Sequence, residues 1–214
     1  NADLFSEAMG KCAERGIDSV VLSVKDTSGF AIYNSQYAPH YSKLKSNFQE
    51  IDYLQQCLEI AHKHGLKLYA SIDVFAEGNK HNQNPLMKGL TNEGWMCEIY
   101  GLDNNDQPVI QPITSENPIQ TVGSLDDFGE IFVNPANDEV ADYELGLIKE
   151  LIDNYDIDGI VLDRVRYVGL CADFSQLTLN KWKAHANITE DVNVEDIFKR
   201  TKVSGEIEVT YGKY

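Results

Sequence analysis

The stretch Tyr155-Asp-Ile-Asp-Gly-Ile-Val-Leu-Asp163-Arg-Val-Arg-Tyr167 decides the fold, because it combines a buried strand with a final carboxylate and two arginines. The residues before it predict an amphipathic helix: Asn137 suits an N-cap, and apolar residues recur with helical spacing from Val140 to Ile152. Helix, short turn and apolar strand form half of a βαβ unit. In such sheets the chemistry lies at the C-terminal ends of the strands, so Asp163 marks a candidate site.

Two further strands are predicted to follow helices and to end in charge. Side chains alternate along a strand, so each final charged residue shares a face with every second residue before it. The opposite faces are aliphatic and are predicted to pack against helices, which turns Lys25, Asp73 and Asp163 toward a common mouth. The segments are a helix at 3–14 before the strand Ser19–Val24 with Lys25 and Asp26, and a helix at 49–64 before the strand Leu66–Ile72 with Asp73.

Length and charge restrict the class of protein. A chain of 214 residues with 43% hydrophobic residues can bury the core of one domain, which we expect to span 1–214. The net charge of −16 argues against nucleic acid or an anionic membrane surface as a partner and favours an uncharged or cationic ligand. The sequence contains no recognisable integral membrane segment or signal peptide.

Cysteine and histidine spacing gives no reason to expect a metal or another cofactor. The four cysteines form no Cys-x-x-Cys pair and occupy apolar positions, so free buried thiols are favoured over disulfides. The turn Asp103–Asp106 has oxygen donors that suit calcium, but it lies between two predicted strands and is better explained as a hairpin turn.

A long segment from about 74 to 135 interrupts the alternation of strands and helices. A loop of this length inside a compact domain is usually functional, and we expect it to lie over the C-terminal ends of the strands. Its centre predicts a hairpin of 96–100 with 108–111, and the chain after Tyr167 predicts a helix at 174–185 and a strand Glu206–Thr210.

Four segments in this order resemble the glycosyl-hydrolase-like family 10 domains of bacteria, and together they span nearly the whole chain. The strand ending Asp158-Gly-Ile-Val-Leu-Asp163 also resembles the fourth-strand motif of the amylase-like glycosidases, whose final aspartate is the nucleophile. The segments that carry the resemblance are Gly16–Asp26, Gly29–Pro39, Gly94-Trp95 followed by Asp103–Pro108, and Asn134–Val140 through Asp158–Tyr167.

The resemblance implies an α/β fold of the (β/α)8 TIM-barrel type and a bacterial protein that is exported to the periplasm or cell surface and acts on polysaccharides. Some members act on the glycan strands of peptidoglycan. The amylase-type arginine two residues before the nucleophile is replaced by Val161, so Arg164 and Arg166 are the candidates to supply that charge. Because the match begins at the first barrel helix and ends around the fourth, the chain is expected to cover about half of the barrel.

Glycoside hydrolysis needs one ionised and one protonated carboxyl group, roughly 5 to 5.5 Å apart in retaining enzymes. We assign Asp163 to the ionised role, the alternative being an ion pair or cap at a strand end. The protonated carboxyl is expected outside this chain. Residues expected to contact the carbohydrate are Lys25, Asp26, Asp73, Trp95, Arg164, Arg166 and Tyr167, for which capping, surface pairing and loop packing are the structural alternatives.

Two functions from different classes agree with these residues. The first is a glycoside hydrolase that cleaves a polysaccharide or a peptidoglycan glycan by a carboxylate mechanism. The second is a glycan-binding barrel that has kept the cleft and lost catalysis. A phosphate-handling barrel is disfavoured, because no glycine-rich phosphate loop follows any predicted strand.

Overall fold

The computed structural model describes residues 2–82, 84–117, 119–121 and 129–213, and within them the chain alternates helices, strands and hairpins. In chain order the elements are α1 (Ala2–Glu14), β1 (Ser19–Lys25), a 3-10 turn (Tyr41–Lys43), α2 (Tyr53–Lys63), β2 (Lys67–Asp73), β3 (Ala76–Asn79), α3 (Lys88–Thr91), β4 (Glu98–Leu102), β5 (Pro108–Pro112), β6 (Glu130–Phe132), α4 (Asp138–Asn154), β7 (Gly159–Asp163), α5 (Gln176–Ala186), α6 (Val194–Ile197), β8 (Phe198–Val203) and β9 (Glu206–Tyr211).

A three-stranded parallel sheet in the order β1-β2-β7 forms the centre of the fold. β2 pairs with β1 on one side and with β7 on the other, both in parallel. The prediction that these three segments are parallel neighbours is therefore confirmed. Their C-terminal ends meet at one edge, where the register places Asp73 directly opposite Asp163.

Helices α1, α2 and α4 contribute side chains to the main core, which covers one face of the sheet. On that face Leu68, Ala70 and Ile72 of β2 have no exposed surface. The predicted N-cap Asn137 is confirmed, because its side chain accepts a hydrogen bond from the Glu139 N–H. The start predicted for α2 was four residues early, since Asp52 caps that helix by accepting from Gln55 N–H at 2.9 Å.

The other face of the sheet is open among the described residues. Val21 is 62% exposed and Val161 is 37% exposed, although both are apolar strand residues. Leu162, predicted to pack against helices, is 46% exposed on the edge strand β7, so the aliphatic face is fully covered on β2 and incompletely covered on β7.

The end of β1 corrects one prediction. Ser23 pairs with Ser71, but Lys25 pairs with Ile72, because a bulge shifts the register between the two positions. An inserted residue reverses the face on which the following side chain lies. Lys25 therefore leaves the face that carries Asp73 and Asp163, and enters the core with no exposed surface.

The segment from 74 to 135 forms two antiparallel pairs, β3 with β6 and β4 with β5. The second pair confirms the predicted hairpin. A second apolar cluster packs between this segment and the loop after β7, and comprises Cys97, Ile99, Phe132, Val168 and Cys171. All four cysteines are free thiols, as predicted.

The C-terminal region follows the predicted order of a helix and a strand. Ser175 caps α5, whose start lies two residues after the predicted one, and β9 pairs with β8 as an antiparallel hairpin. Arg200 of this hairpin is buried and donates to the Leu170 carbonyl at 3.0 Å and to the Tyr100 carbonyl. Across the residues placed by the structure, no helix has both the length and the apolar character needed to cross a bilayer.

Candidate functional site

Two carboxyl groups meet at the C-terminal edge of the sheet. Asp73 ends β2 and Asp163 ends β7, and the parallel register makes them direct neighbours on one face. The chain is fixed at this point, since Val74 N–H donates to the Asp163 carbonyl at 2.9 Å and the buried Lys25 ammonium group donates to the Asp73 carbonyl. Asp163 is exposed, whereas the Asp73 side chain is only 16% exposed.

Arg164 holds this edge together. Its backbone is left-handed (φ 53°), a conformation that is uncommon for residues other than glycine and is enriched at functional sites. Its N–H donates to Asp163 Oδ1 at 2.7 Å. Its guanidinium group lies 3.5 Å from Asp73 Oδ1 and 2.9 Å from Glu130 Oε1, so one arginine links β2, β6 and β7.

The two aspartates at this edge lie in different environments of burial and charge. Burial raises the pKa of Asp73, the Arg164 guanidinium opposes this, and the neighbouring Asp163 carboxylate adds to the rise. Two adjacent carboxyls in unequal environments are a frequent basis for acid and base roles. Asp163 is the more exposed of the two.

Arg166 lies beside Arg164 over the same ring. The guanidinium carbon of Arg166 is 5.4 Å from the centre of the Phe132 ring, and that of Arg164 is 6.0 Å from it. Arg166 Nη1 also donates to the carbonyls of Tyr167 and Val168 at 3.1 and 3.3 Å. These contacts fix an exposed cation in the loop that follows Asp163.

The remaining predicted contacts lie in three different settings. Tyr167 is 37% exposed in the loop after β7, where burial and then the charge of Asp173 raise the pKa of its phenol. Asp26 is half-buried and caps its own turn by accepting hydrogen bonds from Ser28. Trp95, expected as an exposed sugar platform, is 5% exposed, packs on Tyr143 at 5.2 Å and donates to Glu139 Oε2 at 3.1 Å.

The expectations for Lys25 and Trp95 do not fit this geometry. The ammonium group of Lys25 is fully buried, and the indole of Trp95 is covered by α4, so neither side chain is accessible to a substrate in this conformation. The bulge in β1 explains the first case. In the second, the indole N–H finds a carboxylate partner that allows the whole side chain to be buried.

A buried charge cluster lies beneath the candidate site. Lys25 pairs with Glu77 of β3 and lies 3.9 Å from Glu144 of α4, and all three side chains are at most 3% exposed. Burial alone would lower the pKa of the Lys25 ammonium group, but the two glutamates outweigh it and raise that pKa. Burial raises the pKa of both glutamates against the attraction of Lys25, and that of Glu144 is raised well above its usual range.

Glu144→Gln is expected to stabilise the protein increasingly as pH rises. Folded Glu144 keeps its proton at pH values where the unfolded chain has lost it, so the free energy of unfolding falls with rising pH. The neutral amide removes this loss, which amounts to about 1.4 kcal/mol for each unit by which the pKa is raised. Urea unfolding at about pH 5.5 and about pH 8 measures the difference.

The matched control for this prediction is Asp142→Asn, an exposed carboxyl on the same helix. It should shift stability by a small amount that changes little with pH. Equal responses of the two variants between the two pH values would contradict a protonated Glu144.

Four residues of this region were not predicted from the sequence: Glu77, Glu130, Phe132 and Glu144. Glu144 carried a signal, because it lies four residues after Val140 and three before Leu147, both of which are fully buried on α4. Glu77 stands in a short apolar run, which is a weaker signal. Glu130 and Phe132 could be found only once β6 was placed against β3. Across the placed residues, no group of three or more His, Cys, Asp or Glu is arranged to hold a metal ion.

The parallel sheet with helices on one face defines a (β/α) fold, and two of its strands end in a carboxyl pair. The chain belongs to the glycosyl hydrolase-like 10 family, whose model matches residues 5–204. This confirms the resemblance found in the sequence.

One known protein is similar to this chain in sequence, and two solved structures are similar to it in fold. The chain is 33% identical over 180 residues to an S-layer-related protein of Niallia circulans, and it spans 10% of that relative. It superposes with a TM-score of 0.54 and 19% identity on α-L-fucosidase isoenzyme 2 of Paenibacillus thiaminolyticus, covering 87% of this chain and 23% of the fucosidase. It also superposes with a TM-score of 0.51 and 14% identity on a hypothetical protein of Ruminiclostridium thermocellum, covering 90% and 89% of the two chains. At these identities the superpositions show a shared fold.

Proposed function

We propose that this chain forms part of a glycoside hydrolase that cleaves a polysaccharide or a peptidoglycan glycan at the C-terminal edge of its sheet. The observation that carries the proposal is the pairing of Asp163 with Asp73 at the ends of neighbouring parallel strands. Membership in a glycosyl hydrolase-like family supports it.

Asp163 is the carboxylate that attacks or stabilises the anomeric carbon in this proposal. Its Oδ1 atom is engaged by the Arg164 N–H, which orients the carboxylate and leaves the second oxygen available to the sugar. Arg164 itself is engaged by Asp73 and Glu130, so the orienting N–H is held by two ion pairs. Tyr167 supplies a half-exposed ring in the adjoining loop, suited to an apolar sugar face.

The sheet is proposed to be part of a (β/α)8 barrel of which this chain contributes about half. The open face supports this, since Val21 and Val161 lie where the interior of a closed barrel would be. A closed barrel of this type typically uses about 250 residues.

An exported location, in the periplasm or at the cell surface, is part of the same proposal. It is supported by the similarity to an S-layer-related protein, of which this chain spans a tenth.

The test is hydrolysis by the complete protein. It is incubated with neutral and acidic polysaccharides, including peptidoglycan glycan freed of its peptides, and release of new reducing ends is measured. Cleavage of at least one polymer is expected, and it should be absent from a preparation of the heat-unfolded protein. Binding to a polymer without any release of reducing ends would instead show the second function, a glycan-binding barrel without catalysis.

A further inference from the structure

Arg166 is a fixed cation that has no acidic partner among the described residues, although the protein is strongly acidic. Neither Asp73, Glu130 nor any other carboxylate among the described residues forms an ion pair with it, although Arg164 next to it has two. The chain as a whole carries a net charge of −16. Its position in the loop that follows Asp163 places it beside the candidate site.

The contacts of Arg166 leave one edge of its guanidinium group free. Nη1 is occupied by the Tyr167 and Val168 carbonyls, and the guanidinium carbon lies 5.4 Å from the centre of the Phe132 ring. No hydrogen bond within the described part of the chain uses Nε or Nη2. These two nitrogens form the side-on edge of arginine, which donates two parallel hydrogen bonds to the two oxygens of a carboxylate.

Holding the guanidinium group in advance lowers the cost of binding. An unrestrained arginine loses side-chain freedom when it pairs with a ligand, whereas Arg166 is already oriented by two carbonyls and a ring. Arg166 follows Asp163 by three positions along the chain, a span of at most roughly 11 Å. That distance suits a group on the sugar at the cleavage point or on its neighbour.

The surrounding charges restrict the anion that can bind. Asp73 and Glu130 pair with Arg164, which lies with Arg166 over the Phe132 ring, and these carboxylates would repel a doubly charged phosphate more strongly than a singly charged carboxylate.

We infer that Arg166 is a specificity residue that binds the carboxylate of an acidic sugar, so that the substrate is a polysaccharide carrying carboxyl groups. This rests on the proposed function of the site, because it places the acidic sugar next to the proposed cleavage point. It adds to that proposal a chemical class of substrate.

Affinity electrophoresis tests the inference separately from catalysis. The complete protein is run through gels that contain a uronic-acid polysaccharide, the same polymer with its carboxyl groups chemically reduced to alcohols, or a sulfated dextran, at about 0.15 M salt. Retardation by the acidic polymer and much weaker retardation by its reduced form are expected. Equal retardation by the reduced form, or stronger retardation by the sulfated dextran, would overturn the inference.

Arg166→Gln should weaken binding to the acidic polymer by about tenfold or more, the scale of a hydrogen bond to a charged group. It should leave the weak binding to the reduced polymer unchanged. Arg166→Lys keeps the positive charge but lacks the two parallel N–H donors, so an intermediate loss of binding is expected. Arg15→Gln, an exposed arginine of the turn after α1, is the control for the loss of one positive charge and should behave like the wild type.

The outcome separates this inference from the proposed function. If hydrolysis occurs and Arg166→Gln affects acidic and reduced polymers equally, the arginine only shapes its loop and the hydrolase proposal stands. If no polymer is hydrolysed but acidic binding depends on Arg166, the inference stands and the site is a binding site. A loss of folding in Arg166→Gln would appear as a lower unfolding midpoint, in which case Arg166→Lys decides between the two explanations.

Discussion

Replacement of Asp163 by asparagine is expected to lower turnover by several orders of magnitude and to leave the fold intact. Asparagine has nearly the same shape, and its side-chain oxygen can still accept the hydrogen bond from Arg164 N–H. The amide cannot act as an anionic nucleophile or stabilise a developing positive charge, so the loss falls on the chemical step. The measurement is kcat on the polymer that the wild-type protein hydrolyses, together with the unfolding midpoint of both proteins.

Asp156→Asn provides the matched control, since this exposed aspartate precedes the same strand and lies away from its C-terminal end. It should retain wild-type activity. If Asp163→Asn keeps more than about a tenth of the activity, it has lost less than about 1.4 kcal/mol of transition-state stabilisation, and Asp163 is then a structural carboxylate.

Replacement of Lys25 by methionine is expected to destabilise the fold by about 3 to 5 kcal/mol. Methionine fills a similar volume, but the change removes the ammonium group and leaves the buried carboxyl of Glu77 next to Glu144 without its counter-charge. It also deprives the Asp73 carbonyl of a donor. Because domains are stable by only about 5 to 15 kcal/mol, such a loss is a large part of the total. Equilibrium unfolding in urea measures it.

A second variant shows whether the loss comes from uncompensated charge. Lys25→Met combined with Glu77→Gln removes one of the two carboxyls, and it should recover a substantial part of the stability lost in the single variant. Lys45→Met, at an exposed position, should change stability little. A loss below about 1 kcal/mol in Lys25→Met would mean that the cluster is solvated and does not hold these elements together.

The parallel sheet was predicted well from the sequence, because each of its strands carries recognisable local signals. Each strand was marked by an aliphatic face, a preceding amphipathic helix and a terminal charge, and the capping residue Asn137 was recognisable by its type and position. The resemblance to the family also held, since it rested on four ordered segments. Periodicity and capping are local properties of the chain, which explains why they could be read without the structure.

The candidate site was predicted less completely, because its contacts are not local. A single bulge in β1 places Lys25 in the core and not at the predicted mouth, and no residue type at this position predicts such a bulge. The ion pair of Arg164 with Glu130 joins positions 34 residues apart in the chain. Trp95 was expected at the surface because it stands in a loop, yet its indole finds a partner in Glu139 and is buried.

Among the described residues the interior holds three apolar clusters, and the two that lie nearest the candidate site belong to different parts of the chain. The sheet and its helices pack around one cluster, and the β4–β5 hairpin, β6 and the loop after β7 share the other, with Phe75 touching both. Substitutions that reshape the second cluster can therefore alter the surface offered to a ligand while the parallel sheet keeps its own packing. The packing that supports the sheet and the packing that supports the loops beside its C-terminal edge are thus largely separate.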